Sequence, residues 1–217
     1  MTASLKLSRL FPPLYAIVDV DLCRLRGLDS REVTSAFLRG GARLLQIRQK
    51  SGSGADLLGV VRHAVAESRD AGARVIVNDR ADIAAMAAAD GVHVGQTDLS
   101  LADVLAIAGA EAFCGLSTHT TEQVDEALAS PAAYVAVGPV YRTGTKDTGY
   151  DPRGLELVRH AAEKGKPVVA IGGLTLERAP DVLAAGASSV AVISDLLVTG
   201  DPEGRVREYV AALGQRI

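Results

Sequence analysis

Eight short apolar, largely β-branched runs recur along the chain, separated by segments with helical spacing, and this alternation limits the fold more than any other feature. The runs are Leu14–Val18, Arg43–Arg48, Arg74–Asn78, Gly91–Val94, Phe113–Leu116, Tyr134–Gly138, Pro167–Gly172 and Ser189–Ile193. Between and after them lie Arg31–Leu38, Ala55–Asp70, Leu101–Ala108, Thr121–Leu128, Gly154–Lys164, Leu176–Leu183 and Pro202–Leu213, where apolar residues return every three or four positions. Ser30, Ser100, Thr120 and Asp201 stand at helix starts as caps, and Thr120 with Gln123 has the spacing of a capping box. Strand and helix in strict alternation predict an α/β fold with a parallel sheet. A doubly wound dinucleotide-binding sheet needs a Gly-rich turn after its first strand, and here that strand runs into Asp19-Val20-Asp21-Leu22. Eight regularly spaced strands predict a closed (β/α)8 TIM barrel instead. No linker or low-complexity segment interrupts the pattern, so residues 1–217 are expected to form a single barrel domain.

Composition agrees with a barrel and excludes other classes. Hydrophobic residues make up 48% of the chain but aromatics only 4%, with no Trp, so the core is Val, Leu, Ile and Ala. A formal charge of −3 argues against a nucleic-acid footprint. Cys23 and Cys114 lie far apart and form neither a disulfide framework nor a zinc motif. No apolar stretch approaches the roughly 18 residues of a membrane span. Met1-Thr2-Ala3-Ser4-Leu5-Lys6 has no apolar signal-peptide core. The expectation is a cytoplasmic protein without membrane partners; a homodimer stays open, no surface patch deciding it.

In such barrels chemistry gathers at the C-terminal ends of the strands. Two runs end there in carboxylates: Val75-Ile76-Val77-Asn78-Asp79 and Val92-His93-Val94-Gly95-Gln96-Thr97-Asp98. On neighbouring parallel strands the two charges need a cation, and hard oxygen ligands with open positions suit Mg²⁺. Either Asp could instead cap a following helix, although Ser100 relieves Asp98 of that task. Gln46, Arg48 and Lys50 alternate and so point the same way, Arg offering a fork and Lys a point charge to a diphosphate. The competing reading pairs Arg48 with a nearby carboxylate and leaves Lys50 in solvent. Thr143-Gly144-Thr145-Lys146, in a long loop, suits an anion. Gly172-Gly173 and Ile193-Ser194 sit where barrels of this kind commonly hold a phosphate. Asn78 either positions substrate or satisfies loop backbone. Arg80 and Asp82 are expected to pair in the next helix, His93 to be a core or wall residue among valines, and His63 and His160 to lie on the surface. Ser117-Thr118-His119 gives no support for a Ser-His-Asp triad.

Taken in order, these motifs resemble thiamine-phosphate synthase. The matching stretches are Leu14-Tyr15-Ala16-Ile17, Gln46-Ile47-Arg48-Gln49-Lys50, Asn78-Asp79-Arg80, Gly91 through Asp98, Ser117-Thr118-His119-Thr120, Gly138-Pro139-Val140-Tyr141, Thr143-Gly144-Thr145-Lys146 and Val169-Ala170-Ile171-Gly172-Gly173. The resemblance implies a transferase of thiamine biosynthesis. It would join a hydroxymethylpyrimidine diphosphate to a thiazole phosphate, or its carboxylated form, and release diphosphate with Mg²⁺ as cofactor. On that pattern Gln46, Ile47, Arg48, Gln49, Lys50 and Asn78 surround the pyrimidine diphosphate, Asp79 and Asp98 bind Mg²⁺, and Ser117 and Lys146 contact the diphosphate end. Thr143, Gly144, Thr145, Gly173, Ile193 and Ser194 line the thiazole-phosphate side. Arg48, Lys50, Ser117 and Lys146 are the catalytic set.

Two departures stand out. Gln49 occupies a place where the family often has Glu, and it should point away from the clamp. Arg142 replaces a commoner Pro. The nearest rival is the related thiazole tautomerase; His119 resembles its acid/base histidine, whereas the Asp79 and Asp98 pair favours the synthase. A non-catalytic phosphate-binding barrel would lack a clamp or metal residue, and none is missing. An epimerase or isomerase barrel would need an acid/base pair in place of those carboxylates.

Overall fold

The computed structural model describes residues 11–144 and 149–214. Eight strands, β1 (Leu14–Asp19), β2 (Leu44–Arg48), β3 (Arg74–Asn78), β4 (Gly91–Val94), β5 (Phe113–Thr118), β6 (Tyr134–Val137), β7 (Val168–Ile171) and β8 (Ser189–Val192), pair in parallel in chain order. β8 returns to β1 through Leu14 opposite Val190, Tyr15 opposite Ala191 and Ala16 opposite Val192, which closes the barrel.

Helices α1 (Val20–Leu25), α2 (Ser30–Arg39), α3 (Gly54–Ala71), α4 (Ala81–Ala87), α5 (Leu101–Ala108), α6 (Thr121–Ala129), α7 (Gly154–Ala162), α8 (Ala179–Ala184) and α9 (Pro202–Leu213) surround it. A 3-10 turn, Ser194–Leu197, follows β8. The expected caps hold at Ser100, Thr120 and Asp201, each accepting a bond from a first-turn amide. At α2 the cap is Asp29, and Ser30 is the first helical residue. α8 starts later than the sequence pattern suggested, with Pro180 in its first turn, where a missing N–H costs no helical bond. β5 extends two residues past its expected end, so Ser117 lies in the strand and not beyond it. The sequence reading gave no helix at α1; six residues are too few for a periodic signal, and the helix forms under the Asp19 cap.

Strand alternation divides the core into two layers. Val18, Leu45, Ile47, Val75, Val77, Val92, Val94, Val135 and Val137 face outward and pack beneath the helices. Tyr15, Ile17, Leu44, Ile76, Tyr134, Ala136, Val169 and Ala191 face inward with Phe11 beneath. The interior is therefore filled at the N-terminal end and leaves room only towards the C-terminal mouth. Gly115 makes that filling fit, because a Cβ there would lie 2.0 Å from Cζ of Tyr134. None of the helices among the described residues is long and apolar enough to cross a membrane.

Candidate active site

The inward positions change from apolar to polar as the strands approach the mouth. β2 goes from Leu44 to Gln46 to Arg48, β3 from Ile76 to Asn78, β4 from Gly91 to His93, and β5 from Phe113 through Gly115 to Ser117. A pocket of about 880 Å³, its open mouth included, lies above Ile17, Ala136, Val169 and Ala191. Gln46, Arg48, Asn78 and Ser117 line one side; Thr143, Gly173, Ile193 and Ser194 line the other.

Arg48 is held before any ligand is considered. Its Nη1 pairs with Asp19 Oδ2, and the two side chains are only 13% and 4% exposed. Asp19 Oδ1 meanwhile accepts from the Leu22 amide at 2.9 Å, so one carboxylate caps α1 and aims the guanidinium. Lys50 is fixed through its backbone: Asp21 Oδ2 accepts from the Lys50 amide at 2.7 Å and from Ser51 N at 3.2 Å, and its Oδ1 accepts from Ser51 Oγ at 2.5 Å. Burial acts to raise the Asp21 carboxyl, but these hydrogen bonds outweigh it and hold the group below its ordinary range. Asp19, the last residue of β1, thus holds Arg48, and Asp21, in the first turn of α1, holds the backbone at Lys50. Sequence reasoning noted both residues without giving them a task; their signal was two acids directly after a strand that carries no Gly-rich turn.

The carboxylate pair forms across β3 and β4. Asp79 stands in the left-handed region at φ 61°, a conformation that Asp tolerates better than most residues. Its N–H donates to the His93 carbonyl at 2.8 Å, and the Arg80 N–H donates back to Asn78 O at 2.8 Å, closing a tight γ-turn. The Asp79 side-chain Oδ2 accepts from Lys50 Nζ at 2.5 Å. Asp98 lies within side-chain hydrogen-bonding reach. Burial raises the Asp79 carboxyl above its usual range; Lys50 works against this and Asp98 adds to it. Neither acid caps a helix: Arg80 occupies the cap of α4 and Ser100 that of α5. Asp98 Oδ2 instead accepts from Gly95 N at 2.7 Å, which folds its turn back onto the end of β4. Among the described residues no cluster of three or more His, Cys, Asp or Glu side chains could enclose a metal, so a bound ion would take its other ligands from water or substrate.

Asn78 carries a further sign of a ligand. It is 6% exposed, lines the pocket, and its Nδ2 is buried without a hydrogen-bond partner. An orphaned amide donor at the wall of an open pocket fits an acceptor on a bound molecule.

On the opposite side, the loop after β6 passes directly over β7. A Cβ on Gly172 would lie 2.6 Å from Pro139 Cα, and one on Gly173, at φ 62°, would lie 2.5 Å from Arg142 O. Only glycine allows this crossing, which brings Thr143 to the wall of the pocket that Ser194 also lines. Ser194 opens the 3-10 turn, and its neighbour Asp195 is tied to α9: Oδ2 accepts from Arg205 Nη2 at 2.7 Å and from Tyr209 Oη at 2.7 Å.

Some expected site residues stand elsewhere. The alternation that turns Gln46 and Arg48 inward turns Ile47 onto the helix layer, so its side chain is not part of the pocket. Gln49 Nε2 donates to Ser53 O at 3.2 Å, within its own loop, in keeping with a residue that points away from the clamp. Gly144 is not part of the pocket wall, and Thr145 and Lys146 lie outside the described residues. His93, read as a core or wall residue, does line the pocket, bonding Tyr134 Oη and Ser117 Oγ. Its inward register, shared with Gly91 across from Phe113, was the available signal. His119 also reaches the pocket; its Nδ1 donates to Gly138 O at 2.6 Å and its ring stacks on Tyr150 at 4.5 Å. Arg80 pairs with Asp82 as expected.

Residues 14–196 match the family described as thiamine monophosphate synthase. A thiamine-phosphate synthase of Koribacter versatilis is 40% identical over 219 residues, covering 98% of this chain and 99% of that protein. One from Roseiflexus sp. is 39% identical over 205 residues, covering 94% and 86%. The solved thiamine phosphate pyrophosphorylase of Pyrococcus furiosus superposes with a TM-score of 0.85 at 29% identity, covering 96% of this chain and 97% of its own.

Proposed function

The chain belongs to the thiamine monophosphate synthase family, and from that premise we propose how its barrel mouth carries out the coupling. The enzyme is a transferase that forms thiamine phosphate. The substrates on this reading are a hydroxymethylpyrimidine diphosphate and a thiazole phosphate, joined in the cytoplasm, a compartment compatible with the free thiols of Cys23 and Cys114.

The observation that carries the reading is the meeting of Asp79 with Asp98 and Lys50 at the ends of β2, β3 and β4, next in the chain to the pocket-lining Arg48 and Asn78. Two hard carboxylates in contact, the charge of Asp98 adding to the proton affinity of Asp79, fit a magnesium ion. When bound there, the ion would supply a Lewis acid for charge on the departing diphosphate. Arg48 and Lys50 are placed to hold the same diphosphate oxygens, and each preorganised donor of this kind commonly contributes about 3–4 kcal/mol at the barrier. Asn78, with its unpaired amide, orients the pyrimidine end. Ile17, Ala136 and Val169 present an apolar floor that keeps water from the carbon left when diphosphate departs. Thr143, Gly173, Ile193 and Ser194 hold the thiazole phosphate opposite, so that its ring nitrogen attacks that carbon. No protein nucleophile is required. The deciding experiment supplies both substrates with Mg²⁺ and measures diphosphate release and coupled product; release without coupling, or neither, would refute the assignment.

A further inference from the structure

Beneath the clamp, five buried polar groups form one unbroken chain from Gln46 to Ser117. Gln46 Nε2 lies 3.0 Å from Tyr15 Oη, which lies 3.0 Å from Tyr134 Oη. Tyr134 Oη lies 3.0 Å from His93 Nδ1, and His93 Nε2 lies 2.8 Å from Ser117 Oγ. All five residues are at most 8% exposed, and the His93 ring stacks on that of Tyr134 at 5.6 Å.

The donor and acceptor capacities of these groups give the chain a direction. The Tyr15 oxygen accepts from the Gln46 amide nitrogen, and with its own single hydrogen turned to the Tyr134 oxygen no buried hydroxyl hydrogen of the chain is left over. In that head-to-tail order Tyr134 donates to His93 Nδ1, which leaves the imidazole proton on Nε2, facing Ser117 Oγ. Ser117 Oγ accepts that proton and is left with its own hydroxyl hydrogen, while the residue lines the pocket. The opposite polarity would turn Ser117 lone pairs towards the ligand.

We propose that Tyr134 and His93 are positioning residues whose hydrogen-bond polarity makes Ser117 a committed donor to the substrate diphosphate. This rests on the diphosphate reading above, because only an anionic or otherwise accepting ligand gains from a hydroxyl fixed as donor. Losing a hydrogen bond to a charged acceptor commonly lowers a rate about tenfold or more.

The first test uses the wild-type protein without substrates. Two-dimensional ¹⁵N correlation spectra of the His93 ring should show Nε2 carrying the proton and Nδ1 bare. A proton on Nδ1 overturns the proposal and leaves the synthase assignment untouched; the expected tautomer in a protein that makes no thiamine phosphate would sink the assignment alone. The second test is a double-mutant cycle. Tyr134→Phe should lower kcat about tenfold with the KM for the thiazole phosphate unchanged, and should cost nothing further when combined with Ser117→Ala. An undiminished tenfold loss in the Ser117→Ala background overturns the relay. If Tyr134→Phe does not fold, the wild-type tautomer still decides.

Discussion

Replacing Asp19 with Asn isolates the force that aims the clamp. The side chain keeps its volume, and its oxygen can still accept from the Leu22 amide at 2.9 Å, so the α1 cap survives and the change is confined to charge. Arg48, 13% exposed, is left without its ionic partner. Breaking a buried pair by removing one member costs about 3–5 kcal/mol; the retained amide oxygen and the partly open guanidinium put this case near about 3 kcal/mol. For a chain of this size each kcal/mol moves Tm by about 2–4 °C, so the variant should melt about 6–12 °C lower. Inorganic diphosphate brings the missing negative charge back to Arg48. It should therefore raise the Tm of the variant by more than it raises that of the parent, and narrow the gap. Differential scanning calorimetry of both proteins, with and without diphosphate and Mg²⁺, measures all four values. An unchanged Tm together with equal gains from the ligand would show that Asp19 does not hold Arg48, and the account of the clamp would fall.

Other perturbations separate the remaining parts. Burial, against Lys50 and with Asp98, raises the Asp79 carboxyl, so the folded protein binds that proton more tightly than the unfolded chain. Its contribution to stability is full below the unfolded pKa of about 3.9 and is lost as pH rises through the higher folded value. Asp79→Asn should consequently melt above the parent at pH 7 while coupling falls at least about 100-fold; a lower Tm with activity intact contradicts both statements. Lys50→Met should raise the KM for the pyrimidine diphosphate more than that for the thiazole phosphate, and equal changes would move Lys50 out of the clamp. Gly173→Ala meets Arg142 O at 2.5 Å and a φ of 62°, a strain of about 1–3 kcal/mol, and should weaken the thiazole phosphate selectively in steady-state kinetics.

The barrel was readable in the chain because each strand is a β-branched run followed by a helix-length interval, and strand ends locate the mouth without any contact being known. That rule brings Asp79 and Asp98 to the same rim, where the two side chains lie within hydrogen-bonding reach. What the pattern could not supply was side-chain direction at single positions. Ile47 sits inside the same motif as Gln46 and Arg48, yet one step along a strand reverses the face it presents. His93 was obscured by its valine neighbours, which share the strand but not the face. Asp19 and Asp21 escaped because their work is done on groups about 30 positions away: Asp19 pairs with Arg48, and Asp21 holds the backbone at Lys50. Their partners become visible only when β1 is laid beside β2.

The bond from Asp195 to Arg205 and Tyr209 also bears on how the protein comes to maturity. The turn bearing Ser194 is moored to α9, so the pocket wall at Ser194 takes its final form only after residues 202–213 have left the ribosome and docked. A chain shortened before that point would keep Asp79, Asp98 and Arg48 yet lack the partners that moor the Ser194 turn, so its pocket would stay unfinished on that side.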